Sequence, residues 1–225
     1  MITHAVQDYV KAIYMVGLDE GPVTTTALAD RLDVSAASAT SMMKRLAEMN
    51  LVTHTPYQGV VLTKVGRKIA LEVIRHHRLL ELYLREVLGY SIEEVHDEAE
   101  RLEHVISEAF EDRIDRALGF PTHDPHGDPI PSKTGEMPPH AWRSLADAET
   151  GRRIVIRRVS DHDPGRLHYL RSLGLLPDVE LEVIDRAPYN GPLRLRVPAN
   201  DGELHVGLEL ARSVFVSPKE DSDGA

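Results

Sequence analysis

The chain has 225 residues, 42% of them hydrophobic, which is enough for one large domain or two to three small ones with real cores. It has no cysteine, which excludes disulfides, thiolate zinc sites and cysteine nucleophiles. The net charge of −10 argues against a polyanionic partner for the chain as a whole. No apolar run approaches a membrane span and no signal-peptide pattern opens the chain, so a cytoplasmic protein is expected, with no membrane partner.

The charge is unevenly spread. Residues 1–75 carry eight Lys/Arg against seven Asp/Glu, a net of +1. This third is free to face nucleic acid. Val6, Val10, Ile13 and Tyr14 recur at helical spacing over residues 4–17, and Gly17 is expected to stop that helix. Thr25 or Thr26 can cap a second helix holding Leu28, Ala29 and Leu32. Ser35 caps a third, with Ala39, Met42, Met43 and Leu46 inward. LVTHTPYQGVVLT then reads as two short strands around a turn. Helix, helix, turn, helix, hairpin is a winged helix-turn-helix pattern. The candidate DNA-binding residues are Thr26 and, on or capping the third helix, Ser35, Ala37, Ser38, Thr40, Ser41, Lys44 and Arg45. Small groups allow close approach to DNA, and the cations meet phosphate. A winged helix used for protein contacts would show the same pattern.

Residues 63–88 form an amphipathic helix with Ile69, Val73, Leu80 and Leu84 on its apolar stripe. His77 and Glu81, four apart, share a face. A further helix is expected over residues 91–118. Residues 76–150 carry seven basic against seventeen acidic residues, a net of −10. Within them HDEAERLEHV puts His96, Glu100, Glu103 and His104 on one helical stripe beside Ala99, Leu102, Val105 and Ile106. Such a carboxylate–imidazole cluster is costly without a cation. Both a metal site and a solvated acidic helix fit the stretch. Long apolar helices beside a DNA-binding module suit a dimer interface.

Residues 120–139, rich in Pro and Gly, read as an ordered turn and a linker, with His123 and His126 as surface histidines. Five short strands follow, with DPGRLHYLRSLGLLP as a helical turn after the first, which suggests a small SH3-like barrel. Asp161 and Asp163 can offer oxygen ligands there. The tail after Pro218 is acidic and expected to be disordered.

QDYVKAIY, the helix-turn-helix, RHHRLLELYL, VHDEAERLEHVISE and PHGDPIP together resemble the diphtheria-toxin-repressor and manganese-transport-regulator family of metal-activated DNA-binding repressors. The C-terminal part resembles the family's SH3-like module, related to ferrous-transport accessory domains. The resemblance implies a mainly α protein with small β elements. It has a winged helix-turn-helix domain over residues 1–64, a helical dimerisation and metal-binding domain over 65–140, and an SH3-like domain over 141–219. It also implies a homodimer that binds a palindromic double-stranded operator and controls metal-uptake genes without enzymatic turnover. The family's primary metal ligands fall on Asp8, Glu100, Glu103 and His104. Its ancillary ligands fall on His77, Glu81 and His96, with Asp163 near the barrel's contribution and Arg166 where iron-type relatives carry Gln. Asp8 and Glu100 are manganese-type choices, so Mn2+ is the expected cofactor, with Fe2+ a second candidate. Lys11 stands where compact manganese regulators carry Glu.

On this reading the carboxylates repel one another without metal, and the cation ties Asp8 on the first helix to the dimerisation helices. Two other readings share some features. A di-iron carboxylate enzyme would also use Glu-x-x-His. A metal-independent regulator would keep the acidic cluster for structure alone.

Overall fold

The computed structural model describes residues 2–55, 58–161, 163–198 and 202–219, with the backbone alone for Asp19 and Glu20. Pro56 and Tyr57 of the expected hairpin turn, and the tail from residue 220, lie outside them. The chain falls into two compact units: residues 1–80, 98–122 and 130–138, and residues 81–97, 123–129 and 139–225.

The first unit opens with α1 (His4–Glu20), capped by the Thr3 hydroxyl, which accepts from the Val6 amide. The helix runs through Gly17 and ends at Gly21, whose φ of 76° suits only a residue without Cβ. One mid-helix glycine costs about 1 kcal/mol. Burial of Val6, Val10, Ile13 and Tyr14 on this helix outweighs that cost. Then come α2 (Thr25–Leu32), α3 (Ala36–Glu48), and β1 (Val52–Thr55) paired antiparallel with β2 (Gly59–Leu62). Thr24, one residue before the expected cap, accepts from the Ala27 amide, whereas Ser35 caps α3 as expected. Leu28, Ala39, Met43, Leu46 and Val60 join α1 in one core with Leu71 and Ile74 of α4 (Lys64–Glu86). This is a winged helix-turn-helix.

The long helix expected over residues 91–118 is two helices, α5 (Val95–Leu102) and α6 (Glu108–Ala117). In a continuous helix the Glu103 carbonyl would accept from the Ser107 amide. Here it accepts from His76 Nδ1 at 3.0 Å, while the Ser107 hydroxyl caps α6 through the Phe110 amide. A tertiary partner has replaced the helical bond, and the chain turns. Glu103 is thereby buried at 1% exposure, and Val105, expected on the apolar stripe, is 62% exposed.

The second unit is built on a six-stranded antiparallel sheet of order β3-β8-β4-β5-β6-β7. Its strands are β3 (Arg143–Ser144), β4 (Arg153–Val159), β5 (Glu180–Arg186), β6 (Leu193–Val197), β7 (Gly202–Val206) and β8 (Val214–Pro218). α7 (Pro164–Ser172) lies between β4 and β5 in sequence, and α8 (Leu208–Ala211) between β7 and β8. Alternation is clean on β6, where Leu193, Leu195 and Val197 are buried and Arg194 and Arg196 point outward. Ile156, Leu167, Leu170, Leu181 and Val216 fill the core of this SH3-like module, with Ile92.

Candidate metal centre and nucleic-acid interface

The first unit gathers a cluster from three stretches of chain. α1 presents Asp8 and Lys11, three apart and on one face. α4 presents His76 and His77. The end of α5 and the turn after it present Glu100, Glu103 and His104. Asp8 Oδ1 lies 2.7 Å from His104 Nε2, and Glu103 Oε1 lies 3.6 Å from the same nitrogen. Asp8, Glu103 and His104 each offer one atom within 4.8 Å of the others. His77 Nδ1 meets Glu103 Oε2 at 2.5 Å; a carboxylate only accepts, so the imidazole donates. The His4 ring stacks on His104 at 4.9 Å.

The carboxylates here do not stand unscreened. Lys11 Nζ donates to Glu100 Oε1 at 2.8 Å and to the Glu103 oxygens at 2.7 and 2.9 Å. The expected repulsion between Glu100 and Glu103 is therefore offset by an ammonium within the protein. Asp8 differs. Burial raises its carboxyl above the usual range, with Glu103 and Glu100 adding to the rise and His104 opposing it. Its charge is the one a cation would relieve. His104 Nδ1 is buried with no hydrogen-bond partner. The Asp8 and Glu103 carboxylates with the His104 imidazole suit a divalent ion of the Mn2+ type.

Behind the turn lies a second line of support. His76 donates through Nδ1 to the Glu103 carbonyl and through Nε2 to Glu111 Oε2 at 3.2 Å, so both nitrogens carry protons. Burial works against that charge, but the Glu111 bond prevails and raises the His76 pKa. Burial would likewise raise Glu111; hydrogen bonds from His76 and Arg75 bring it down to about 2. Arg75 also donates to Asp115 at 2.6 Å and to the Pro131 carbonyl at 2.9 Å. Arg75, His76 and Glu111 tie α6 to the Glu103 turn.

The second unit holds its own cluster. Glu81 is fully buried. His96 Nδ1 lies 3.2 Å from Glu81 Oε1 and 3.4 Å from Asp161 Oδ2. Those two carboxylates raise the His96 pKa to about 10, Asp161 most. His126 is also fully buried, not a surface histidine. Its Nε2 donates to the Ile92 carbonyl at 3.0 Å, and its buried Nδ1 has no hydrogen-bond partner and faces Glu81 Oε2 at 3.7 Å. A ring whose far N–H is bound to a carbonyl and whose near nitrogen faces a carboxylate across a gap fits a metal ligand. Burial works against a proton on this ring, yet Glu81 raises its pKa to about 9. Glu81, Asp124 and His126 form one possible ligand set, and Glu81, His96 and Asp161 another.

The loop over residues 123–129 places His126. Asp124 Oδ1 accepts from the His126 and Asp128 amides at 2.8 and 2.9 Å, and the His126 carbonyl accepts from Val159 of β4 at 2.9 Å. A Cβ on Gly127, at φ +90°, would lie 1.9 Å from the Arg157 carbonyl oxygen. Only glycine lets this loop lie on the strand.

The expected ligands thus divide. Asp8, Glu103 and His104 come together, with Glu100 and His77 around Lys11 and Glu103. Glu81 and His96 come together in the second unit. Asp163 joins neither cluster. It is exposed and caps α7 through the Arg166 amide, and Asp161 takes the position beside His96. Asp124 and His126 were missed as ligand candidates. Their signal was a Gly between His126 and Asp128, which marks a close backbone approach.

The candidate DNA residues share one outward aspect. Ser35, Ala37, Ser38, Thr40, Ser41, Lys44 and Arg45 are exposed on or beside α3, as is Thr26 on α2, while Ala39, Met43 and Leu46 face the core. Thr40 Oγ1 donates to the Ala36 carbonyl at 2.8 Å.

Family models match almost the whole chain. They are the N-terminal DNA binding domain of iron dependent repressors over residues 1–60, their metal binding and dimerisation domain over 63–132, and the FeoA domain over 143–218. The iron-dependent repressor IdeR of Mycobacterium tuberculosis (strain ATCC 25618 / H37Rv) is 34% identical over 222 residues, covering 92% of this chain and 94% of its own. The chain belongs to the iron-dependent repressor family. The diphtheria toxin repressor of Corynebacterium glutamicum is 37% identical over 94% of this chain and 95% of its own. A solved manganese-dependent transcriptional repressor in complex with manganese is 40% identical, with a TM-score of 0.88 over 95% of this chain and 99% of that one. Within the family's domains, the helix-turn-helix falls in the DNA-binding segment. The candidate ligands of both clusters fall in the metal-binding segment, except Asp8 on α1, beside Lys11, and Asp161 in the FeoA domain. No helix among the described residues is long and apolar enough to cross a membrane.

Proposed function

We propose that this chain is a manganese-activated repressor that acts in the cytoplasm as a homodimer, binds a palindromic operator through α3, controls metal-uptake genes, and catalyses no reaction. The observation that carries this reading is the Asp8–Glu103–His104 set. It joins the first helix of the DNA-binding segment to the turn that opens the dimerisation helix α6. The bound cation supplies positive charge that ligands from both segments share. Asp8 then holds α1 on the 103–104 turn, and His76, Glu111 and Arg75 hold that turn on α6. The position of the reading head is thereby tied to the dimer. Glu81, Asp124, His126, Asp161 and His96 form a second candidate site.

Raw affinity rises from Mn2+ towards the later metals, so selection must come from ligand type and geometry; the hard carboxylate donors and the absence of sulfur suit Mn2+. Fe2+ is the second reading, supported by the iron-dependent relatives. The test is anaerobic operator binding against free Mn2+, Fe2+, Co2+ and Zn2+, with a chelated control. Strongest activation by Mn2+ is expected. Full binding under chelation would overturn the sensor reading, and dioxygen turnover with Fe2+ would point to a di-iron enzyme.

A further inference from the structure

We infer that Lys11 is a tethered cation that takes up part of the first cluster's binding capacity and sets the metal concentration at which that site fills. This rests on the reading that Asp8, Glu103 and His104 hold a divalent ion. Lys11 Nζ contacts Glu100 Oε1 and both oxygens of Glu103 at 2.7–2.9 Å. An ammonium has three protons, and these three carboxylate oxygens lie nearest to it, with His77 Nδ1 a fourth neighbour at 3.3 Å. The Glu103 side chain is 0% exposed and that of Lys11 only 15%, so water screens the pair poorly.

Two consequences follow from that geometry. Lys11 partly neutralises the cluster from within the chain, and α1 is held on the Glu103 turn by the Lys11 pairs and by Asp8–His104. A divalent ion drawn to Glu103 must share this carboxylate with the ammonium or displace it, and both lower its affinity. Lys11 thus exchanges metal affinity for order in the metal-free protein. It ligates nothing itself; it is a residue that tunes the threshold.

The experiment uses the full chain and Mn2+ as the probe. Equilibrium Mn2+ binding is followed by the electron paramagnetic resonance of the free ion, and thermal unfolding is measured with chelator and with Mn2+. His104→Ala identifies the first site as the binding step it removes. Lys11→Met keeps the length and loses the charge; at that site it should bind Mn2+ about tenfold more tightly. It should also melt at a lower temperature under chelation and gain more from Mn2+ than the wild type does. A Lys11→Met chain that folds only with Mn2+ present gives the same support. Lys11→Arg, which keeps the charge, should keep wild-type affinity. Wild-type or weaker Mn2+ binding by Lys11→Met overturns the inference alone, because a lysine that merely docks α1 would weaken the site when lost. A wild-type chain with no Mn2+ step that depends on His104 overturns the metal reading together with it.

Discussion

His104 is held by Asp8 at 2.7 Å and turns a second, buried nitrogen away from any hydrogen bond, while Asp8 is pushed towards its neutral form by burial. Removing the ring takes away the imidazole and leaves Asp8 with its like-charged neighbours. His104→Ala is expected to abolish Mn2+-dependent operator binding and to leave the dimer intact. Fluorescence anisotropy and sedimentation check the two halves. Retained metal activation would remove His104 from the site. The second cluster carries a pH prediction. His96 and His126 have pKa values raised to about 10 and about 9, so at neutral pH both hold protons in the metal-free protein. Their contribution to stability is full below the ordinary histidine value near 6.5 and is lost as pH rises through 9 to 10. Metal needs the neutral ring, so metal binding at this cluster releases protons and tightens over the same rise. Calorimetry of Mn2+ binding in buffers of different ionisation enthalpy should show this release at pH 7. His126→Ala should reduce it, and an unchanged release would place the protons elsewhere.

At the scale of elements, α3 exposes Lys44 and Arg45 while burying Ala39, Met43 and Leu46. Replacing Lys44 and Arg45 together by Ala should weaken binding to all sequences and flatten the slope of log affinity against log salt by about two per subunit, or about four for the homodimer. An unchanged slope would mean that α3 does not face phosphate. The loop over residues 123–129 makes a different demand. Gly127→Ala places a Cβ where the Arg157 carbonyl oxygen stands, at a φ that alanine resists. This substitution should lose the Mn2+ bound at the Glu81–His126 cluster and keep the His104-dependent step, so stoichiometry separates the two sites. Full stoichiometry in this variant would show that the loop does not build the second site.

At the scale of the whole molecule, the family's dimerisation segment leaves Val105, Phe110 and Phe120 exposed at 62%, 43% and 67% within sixteen residues. Several large apolar side chains left in water by one chain suit a second copy. Phe110→Glu should shift the dimer towards monomer in sedimentation and weaken binding to a two-half-site operator more than to a single half-site. A dimer of unchanged strength would place the interface elsewhere. Metal activation must also be large enough. A swing of the active state from 1:99 to 99:1 needs about 5.5 kcal/mol of preferential metal binding.

Periodicity, turn chemistry and spacing determined much of this protein before any coordinates. Hydrophobic spacing and the Ser35 cap gave the helix-turn-helix, because local hydrogen bonds and one buried face suffice to specify those elements. Alternation gave the barrel strands, and helical spacing put Glu103 and His104 on one stripe; Asp8 as a candidate ligand came only from the family resemblance. The tertiary structure decided what depends on partners far apart in the chain. It broke the 91–118 helix, because His76 captures the Glu103 carbonyl and no local signal carries that bond. It extended α1 past Gly17, because packing of the helix outweighs one glycine. It buried His126, because the 123–129 loop lies on β4, and it brought Asp161 beside His96 while Asp163 caps α7. It also put the Lys11 ammonium among the carboxylates, since charges converge in space where sequence shows only their spacing along one helix.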